Sequence, residues 1–175
     1  MTAESRAIAE FLAREEIRAL PLRYARSIER RDAEAMVSLF VPHARFGEFG
    51  EGPEALERLM RETMAANVFA VILVANHLID LDEDDHAHGE VWAHCFSQNR
   101  DDGFIEQLIK YEDRYERHAG EWRFLHRRHH LWYGIRHPRS PLDQPAARWP
   151  ASQFGVGDLP LDDAEFTSWW EQIPR

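Results

Sequence analysis

Phe104-Ile105-Glu106-Gln107-Leu108-Ile109-Lys110-Tyr111-Glu112-Asp113-Arg114-Tyr115-Glu116-Arg117 is the stretch whose period settles the architecture. Ile105, Gln107, Ile109, Tyr111, Asp113 and Tyr115 fall on one parity, while Glu106, Lys110, Glu112 and Arg114 fall on the other. Strict alternation is the mark of an extended strand with one face inside and one in water. On either side stand turn strings, Asp101-Asp102-Gly103 before and His118-Ala119-Gly120 after. They predict antiparallel neighbours, His86 to Gln98 upstream and Glu121 to about Tyr133 downstream. A fourth strand, Val68 to Leu81, is rich in β-branched residues and leads into the polar turn Asp82–Asp85.

Most of the chain before residue 67 has a helical period. Ile8, Phe11, Leu12, Ile17, Leu20, Tyr24 and Ile28 recur at three to four residues, with Pro21 expected to kink or divide the helix. Asp32 is placed to cap a short helix burying Met36, Leu39 and Phe40, and Pro53 to begin another carrying Leu56, Leu59, Met60 and Met64. Ala44 to Phe49 reads as a short strand closed by Gly50 and Gly52. Helices followed by consecutive antiparallel strands define an α+β fold. Residues 1–134 form this unit. Residues 135–175 carry six prolines together with Trp149, Phe154, Trp169 and Trp170, and read as a mostly irregular tail packing on the same domain or on a dimer partner.

The chain has 175 residues, 44% of them hydrophobic, enough for one well-filled core. A formal charge of −10 and the absence of a basic stripe argue against nucleic acid as a partner. The single cysteine, Cys95, rules out an internal disulfide and a cysteine-based zinc site. The longest apolar run, Val68 to Ala75, is far short of the roughly 20 residues that span a bilayer. Met1 to Phe11 lacks the apolar core of a signal peptide. The expectation is a cytoplasmic protein that does not engage membranes.

Several strings then resemble the SnoaL-like family of the nuclear transport factor 2-like superfamily. They are Arg23-Tyr24-Ala25-Arg26-Ser27-Ile28-Glu29-Arg30-Arg31-Asp32 ending at Leu39-Phe40, Asn76-His77-Leu78-Ile79-Asp80, and Tyr115-Glu116-Arg117 with Gly120-Glu121-Trp122-Arg123-Phe124 and Arg127. The resemblance covers roughly residues 5 to 134 and implies a cystatin-like cone, helices on a strongly curved sheet around one small-molecule pocket. Relatives include scytalone dehydratase, bile-acid 7α-dehydratase, the lindane dehydrochlorinase, polyketide cyclases and dioxygenase β subunits, so the fold sets a range of functions without choosing among them.

The same resemblance names site residues. Glu29 stands at the helix carboxylate of an Asp–His pair, but the matching strand histidine position is Ile72. Tyr24 matches a helix tyrosine acting on substrate oxygen, Tyr111 a polar pocket position, and Arg127 a pocket-facing arginine. Read by parity, Leu125, Arg127, His129, Leu131 and Tyr133 share the inner face of the last strand, while Phe124 and Trp132 lie outside with Trp122. Arg127 is then placed either to hold a substrate oxyanion or to pair with Glu29 or Asp113. His129 titrates near neutrality and suits acid or base work. Asn76 and His94 are further substrate-binding candidates, with His94 and Cys95 alternatives because neighbours on a strand point to opposite faces.

Neither an HExxH string nor a cysteine cluster is present, so no metal and no cofactor is expected. Two functional readings follow. One is a cofactor-independent lyase, isomerase or cyclase moving a proton on a hydrophobic oxygenated molecule such as a polyketide, steroid or aromatic. The other is a non-catalytic binding or assembly module similar to a dioxygenase β subunit. Aromatics on the outer face point in either case to a homodimer or higher homo-oligomer.

Overall fold

The structure is a computed structural model that describes residues 2–83 and 85–172. The central residue of the Asp82–Asp85 turn, Asp84, lies outside the described residues. Helix α1 runs Ala3–Glu29, α2 Ala33–Ser38 and α3 Pro53–Ala65. Strands β1 Asn67–Leu81, β2 His86–Asn99, β3 Gly103–His118 and β4 Glu121–Arg136 follow as an antiparallel meander in the order β1-β2-β3-β4. The helices cover one face of this curved, unclosed sheet, which is the α+β cone expected.

Local chemistry places the ends. The Thr2 hydroxyl accepts from Ser5 N–H to cap α1, Asp32 caps α2 in the same way at 2.8 Å, and Pro53 supplies the first turn of α3. Pro21 does not divide α1. Ile17, Leu20 and Pro21 are all buried, so packing holds the helix continuous through the missing donor. Ala44 to Phe49 is not a strand. It closes as a 3₁₀ turn over Gly47–Phe49, with only an isolated bridge from Arg45 to Glu51.

The main core joins Ile17, Leu20, Met36, Phe40, Leu56 and Met60 to Ile79, Tyr115, Trp122 and Phe124. Three β-bulges decide which strand residues reach it. On β1 one extra residue between Val74 and His77 sets His77, rather than Asn76, opposite Val91 on the inner face. On β4 Leu125 is the extra residue, so Phe124 faces inward opposite Tyr115 and Arg127 inward opposite Asp113. Trp132 is the extra residue further along, which moves Tyr133 to the outer face opposite Leu108. Simple alternation therefore misplaces Trp122, Phe124 and Tyr133. The first two are buried in the core, at 8% and 0% exposure.

The tail packs on its own domain. Helices α4 (Asp158–Leu161) and α5 (Ala164–Trp170) bring Phe166 onto Val68 and Val156, with Phe69 and Leu142 alongside. Arg31 at the end of α1 pairs with Asp163 at 2.8 Å, Arg100 pairs with Glu165, and Trp170 Nε1 donates to Leu142 O at 3.1 Å. Phe166 is wholly buried. Phe166→Ala should therefore destabilise the whole domain by about 3–5 kcal/mol in urea unfolding. An unchanged midpoint would mean that the tail is not part of the cooperative unit.

Candidate active site

At the centre of the sheet a guanidinium is buried between two strands and a helix. Arg127 Nε donates to Asp113 Oδ1 at 2.8 Å and Nη2 to Oδ2 at 2.7 Å, a bidentate pair whose side chains are 5% and 0% exposed. Three rings enclose the cation. Its central carbon lies 4.5 Å from the Tyr24 centroid, 4.2 Å from Tyr111 and 4.3 Å from Phe124. Burial alone would weaken its charge, but the hydrogen bonds and charge of Asp113 outweigh that and raise the Arg127 pKa. Of the roles open to Arg127, pairing with Asp113 is the one found. The guanidinium supports the cavity from below and does not line it.

A hydrogen-bonded chain extends from this pair. Tyr115 OH donates to Asp113 Oδ2 at 2.9 Å and accepts from His77 Nε2 at 3.1 Å. That arrangement leaves Nδ1 of His77 buried with no partner. Protonating it would create a buried donor without an acceptor. Burial accordingly lowers the His77 pKa to about 4. The sequence reading passed over this histidine because only the β1 bulge turns it inward.

Above the buried pair lies a cavity of about 180 Å³. Its floor and walls include Tyr24 from α1, Tyr111 and Ile109 from β3, His129 from β4, and Ile72 and Cys95 from β1 and β2. Arg31, Met64, Ser97 and Gln107 complete its rim. Burial raises the pKa of both phenols, with Arg127 pulling the other way, so Tyr24 and Tyr111 are neutral donors at pH 7. Neither hydroxyl has a hydrogen-bond partner among the described residues. His129 packs against Tyr111, ring centroids 5.4 Å apart. Partial desolvation, with His130 and Arg127 nearby, lowers its pKa, which favours a neutral imidazole at this solvent-exposed position midway along β4. Burial pushes the Cys95 thiol up to about 11 and keeps it protonated.

The other expected residues lie elsewhere. Glu29 is exposed at the end of α1 and lines a separate depression with Arg26, Leu73 and Val74, because α1 turns that side away from Tyr24. Asn76 is exposed within the β1 bulge. Cys95 takes the inward register, and His94 points to the outer face, where Glu106 gathers His94 and His137 at 2.9 Å each and Tyr133 OH at 3.3 Å. The structure thus brings together Tyr24, Tyr111 and His129, sets Arg127 beneath them, and leaves Glu29, Asn76, His94 and Tyr133 outside. A larger trough of about 620 Å³ lies on the outer sheet face, among Glu90, Glu112, Arg114, His126 and Arg128. Ala87, Tyr115 and Leu125 also contribute to its walls.

A model of the SnoaL-like domain matches residues 9–128. Among solved structures, the hexachlorocyclohexane dehydrochlorinase LinA-type3 of Novosphingobium barchaimii LL02 superposes with a TM-score of 0.69 at 17% identity, covering 75% of this chain and 94% of its own. A candidate scytalone dehydratase from Novosphingobium aromaticivorans gives 0.64 at 17% identity, over 78% and 94% of the two chains. A protein of unknown function from Mycobacterium tuberculosis gives 0.60 at 20% identity over 96% and 88%, so its match extends into the tail. No match was found among curated proteins. At these identities the likeness concerns the fold.

Two outcomes test the buried network. Asp113→Asn leaves Arg127 buried without a counter-charge and should cost about 3–5 kcal/mol in urea unfolding. A loss below about 1 kcal/mol, the value of a surface pair, would contradict the burial. His77 carries its proton in the unfolded chain but not in the folded one between its ordinary 6.5 and about 4. Its share of stability is therefore complete above pH 6.5 and lost as pH falls towards 4. His77→Gln should flatten that part of the stability profile, and a variant with an unchanged slope would remove His77 as its source.

Proposed function

Because the chain belongs to the SnoaL-like family, we propose that its cavity is the site of cofactor-independent proton transfer, in a lyase or isomerase acting on a compact hydrophobic molecule that carries an oxygen or other leaving group. One observation carries this reading: a neutral imidazole, His129, shares a partly apolar cavity with two neutral phenols, Tyr24 and Tyr111. The imidazole is the general base. The phenols donate to the oxygen or leaving group on which negative charge develops. Arg127 acts through them. Its cation beside both rings favours charge build-up on the phenol side, and it packs on the Tyr111 ring that His129 also contacts.

This division of labour replaces the carboxylate–histidine pair of the dehydratase-like relatives. Ile72 stands in the wall at the position of their histidine, and Glu29 faces away. The names of the two fold neighbours, a dehydrochlorinase and a candidate scytalone dehydratase, denote eliminations, which makes β-elimination the first reaction to test. We also propose a cytoplasmic location, on the sequence reading alone; separately, no described helix is long and apolar enough to cross a membrane.

The assembly reading keeps one observation in its favour. Trp132, 70% exposed and stacked edge-on against Trp92 at 5.5 Å, stands with Ile135 on the outer sheet face. A homodimer formed through that face would leave the cavity open and is compatible with catalysis.

The test is hydrogen exchange at an acidic C–H in D₂O, across a panel of cyclic β-hydroxy ketones and β-chloro compounds, followed by mass spectrometry. Wild type is expected to incorporate deuterium or eliminate. His129→Gln should slow this by about 10²–10⁴-fold, and the wild-type rate should fall as pH drops and His129 takes up a proton. No exchange with any member of the panel, or a His129→Gln variant as fast as wild type, would defeat the proposal.

A further inference from the structure

Away from the cavity, four residues distant in sequence converge at one rim of the sheet. His86 opens β2 and is register-paired with Glu116 near the end of β3. His118 lies two residues beyond Glu116 on the same strand face, and His43 enters from the loop between α2 and the 3₁₀ turn. The Glu116 carboxylate is the centre. His43 Nε2 lies 3.1 Å and His86 Nε2 4.0 Å from its Oε2, and His118 Nδ1 lies 3.6 Å from its Oε1. The ligand atoms of His43, Glu116 and His118 all fall within 4.8 Å of one another. None of the four residues lines the cavity.

We propose that His43, His86, His118 and Glu116 form a binding site for a divalent transition-metal ion, with zinc the best fit. Three imidazoles and one carboxylate are a donor set suited to zinc, which takes such ligands in tetrahedral geometry at about 2.0–2.2 Å. The imidazoles are the only ion-pair partners of Glu116 among the described residues. The Glu116 side chain is only 19% exposed, and a cation among these donors would neutralise its carboxylate. Arg117, the nearest arginine in sequence, is directed instead to Asp85 and to Gly120 O.

The backbone that presents these ligands is fixed. His86, Glu116 and His118 stand on paired strands. His43 follows a segment tied to β4 by Val41 N–H to Phe124 O at 3.0 Å and Phe124 N–H to Leu39 O at 2.8 Å, and precedes the buried Ala44. The imidazoles themselves are about half exposed, which leaves their rings room to turn towards a shared ion. A bound ion would pin the loop after α2 to the β2–β3 end of the sheet. That is a structural role, independent of proton transfer in the cavity.

Metal-free full-length protein titrated with zinc chloride near neutral pH, followed by calorimetry and by thermal unfolding, tests this. The expected result is one equivalent bound per chain and a higher Tm. The double variant His43→Ala/His118→Ala should bind more than about 100-fold more weakly, beyond the about 10–100-fold typical of losing an outer-sphere partner. The control His94→Ala/His137→Ala, which removes two other surface imidazoles, should retain the site. Glu116→Gln, nearly isosteric, should weaken zinc binding while keeping the wild-type circular dichroism, which covers the case in which the double variant fails to fold. Absence of a one-equivalent site in wild type, or equal weakening in the control, would overturn the proposal.

Discussion

The buried Arg127–Asp113 salt bridge is the constraint around which the rest of the molecule is arranged. Moving two charges out of water is costly, and only complete coordination offsets it. Here the bidentate geometry meets that need on one side. On the other, Tyr115 donates to the carboxylate, and Tyr24, Tyr111 and Phe124 cover the guanidinium. These partners come from α1, β3 and β4, so the pair ties those three elements into one register. The cavity lies beside this assembly and shares Tyr24 and Tyr111 with it, while the Arg127–Asp113 pair does not line it.

Bulges give the sheet its specificity. Without the extra residue at Leu125, Arg127 could not face Asp113 while Phe124 faces Tyr115. Without the one between Val74 and His77, the inward position opposite Val91 would hold Asn76, and Tyr115 would lose its imidazole partner. Close strand approach adds a further demand. At Gly89 an added Cβ would come within 2.3 Å of Leu78 O, so β2 passes β1 at a point where only glycine fits. The curvature of the cone thus follows from a few local irregularities in strands that are otherwise regular.

The architecture was legible because period is a local property. The alternation of Phe104 to Arg117, the helical stripe of α1 and the turn strings define helices followed by a four-strand meander, and strand ends fall within a few residues of those expected. Within the site, Tyr24, Tyr111 and His129 were readable from the same parity and from the family resemblance. What parity cannot carry across is a bulge, since one inserted residue reverses every face beyond it. Tyr133, Trp122 and Phe124 were misplaced for that reason, and His77 was passed over. Glu29 failed differently: a helix stripe near residue 28 has an edge, and one residue decides which side of it a carboxylate falls on. The histidines around Glu116 have no local signature at all, because strand pairing and a loop bring residues 43, 86, 116 and 118 together.

The central claim is that the cavity holds a neutral, base-competent imidazole at His129 above a buried cation. A ¹³C-NMR pH titration of the histidine ring carbons, assigned with His129→Gln, measures this directly. The account predicts that His129 titrates below the ordinary value of about 6.5 and is neutral at pH 7. An imidazole titrating at or above that value would contradict it, and with it the assignment of His129 as the base.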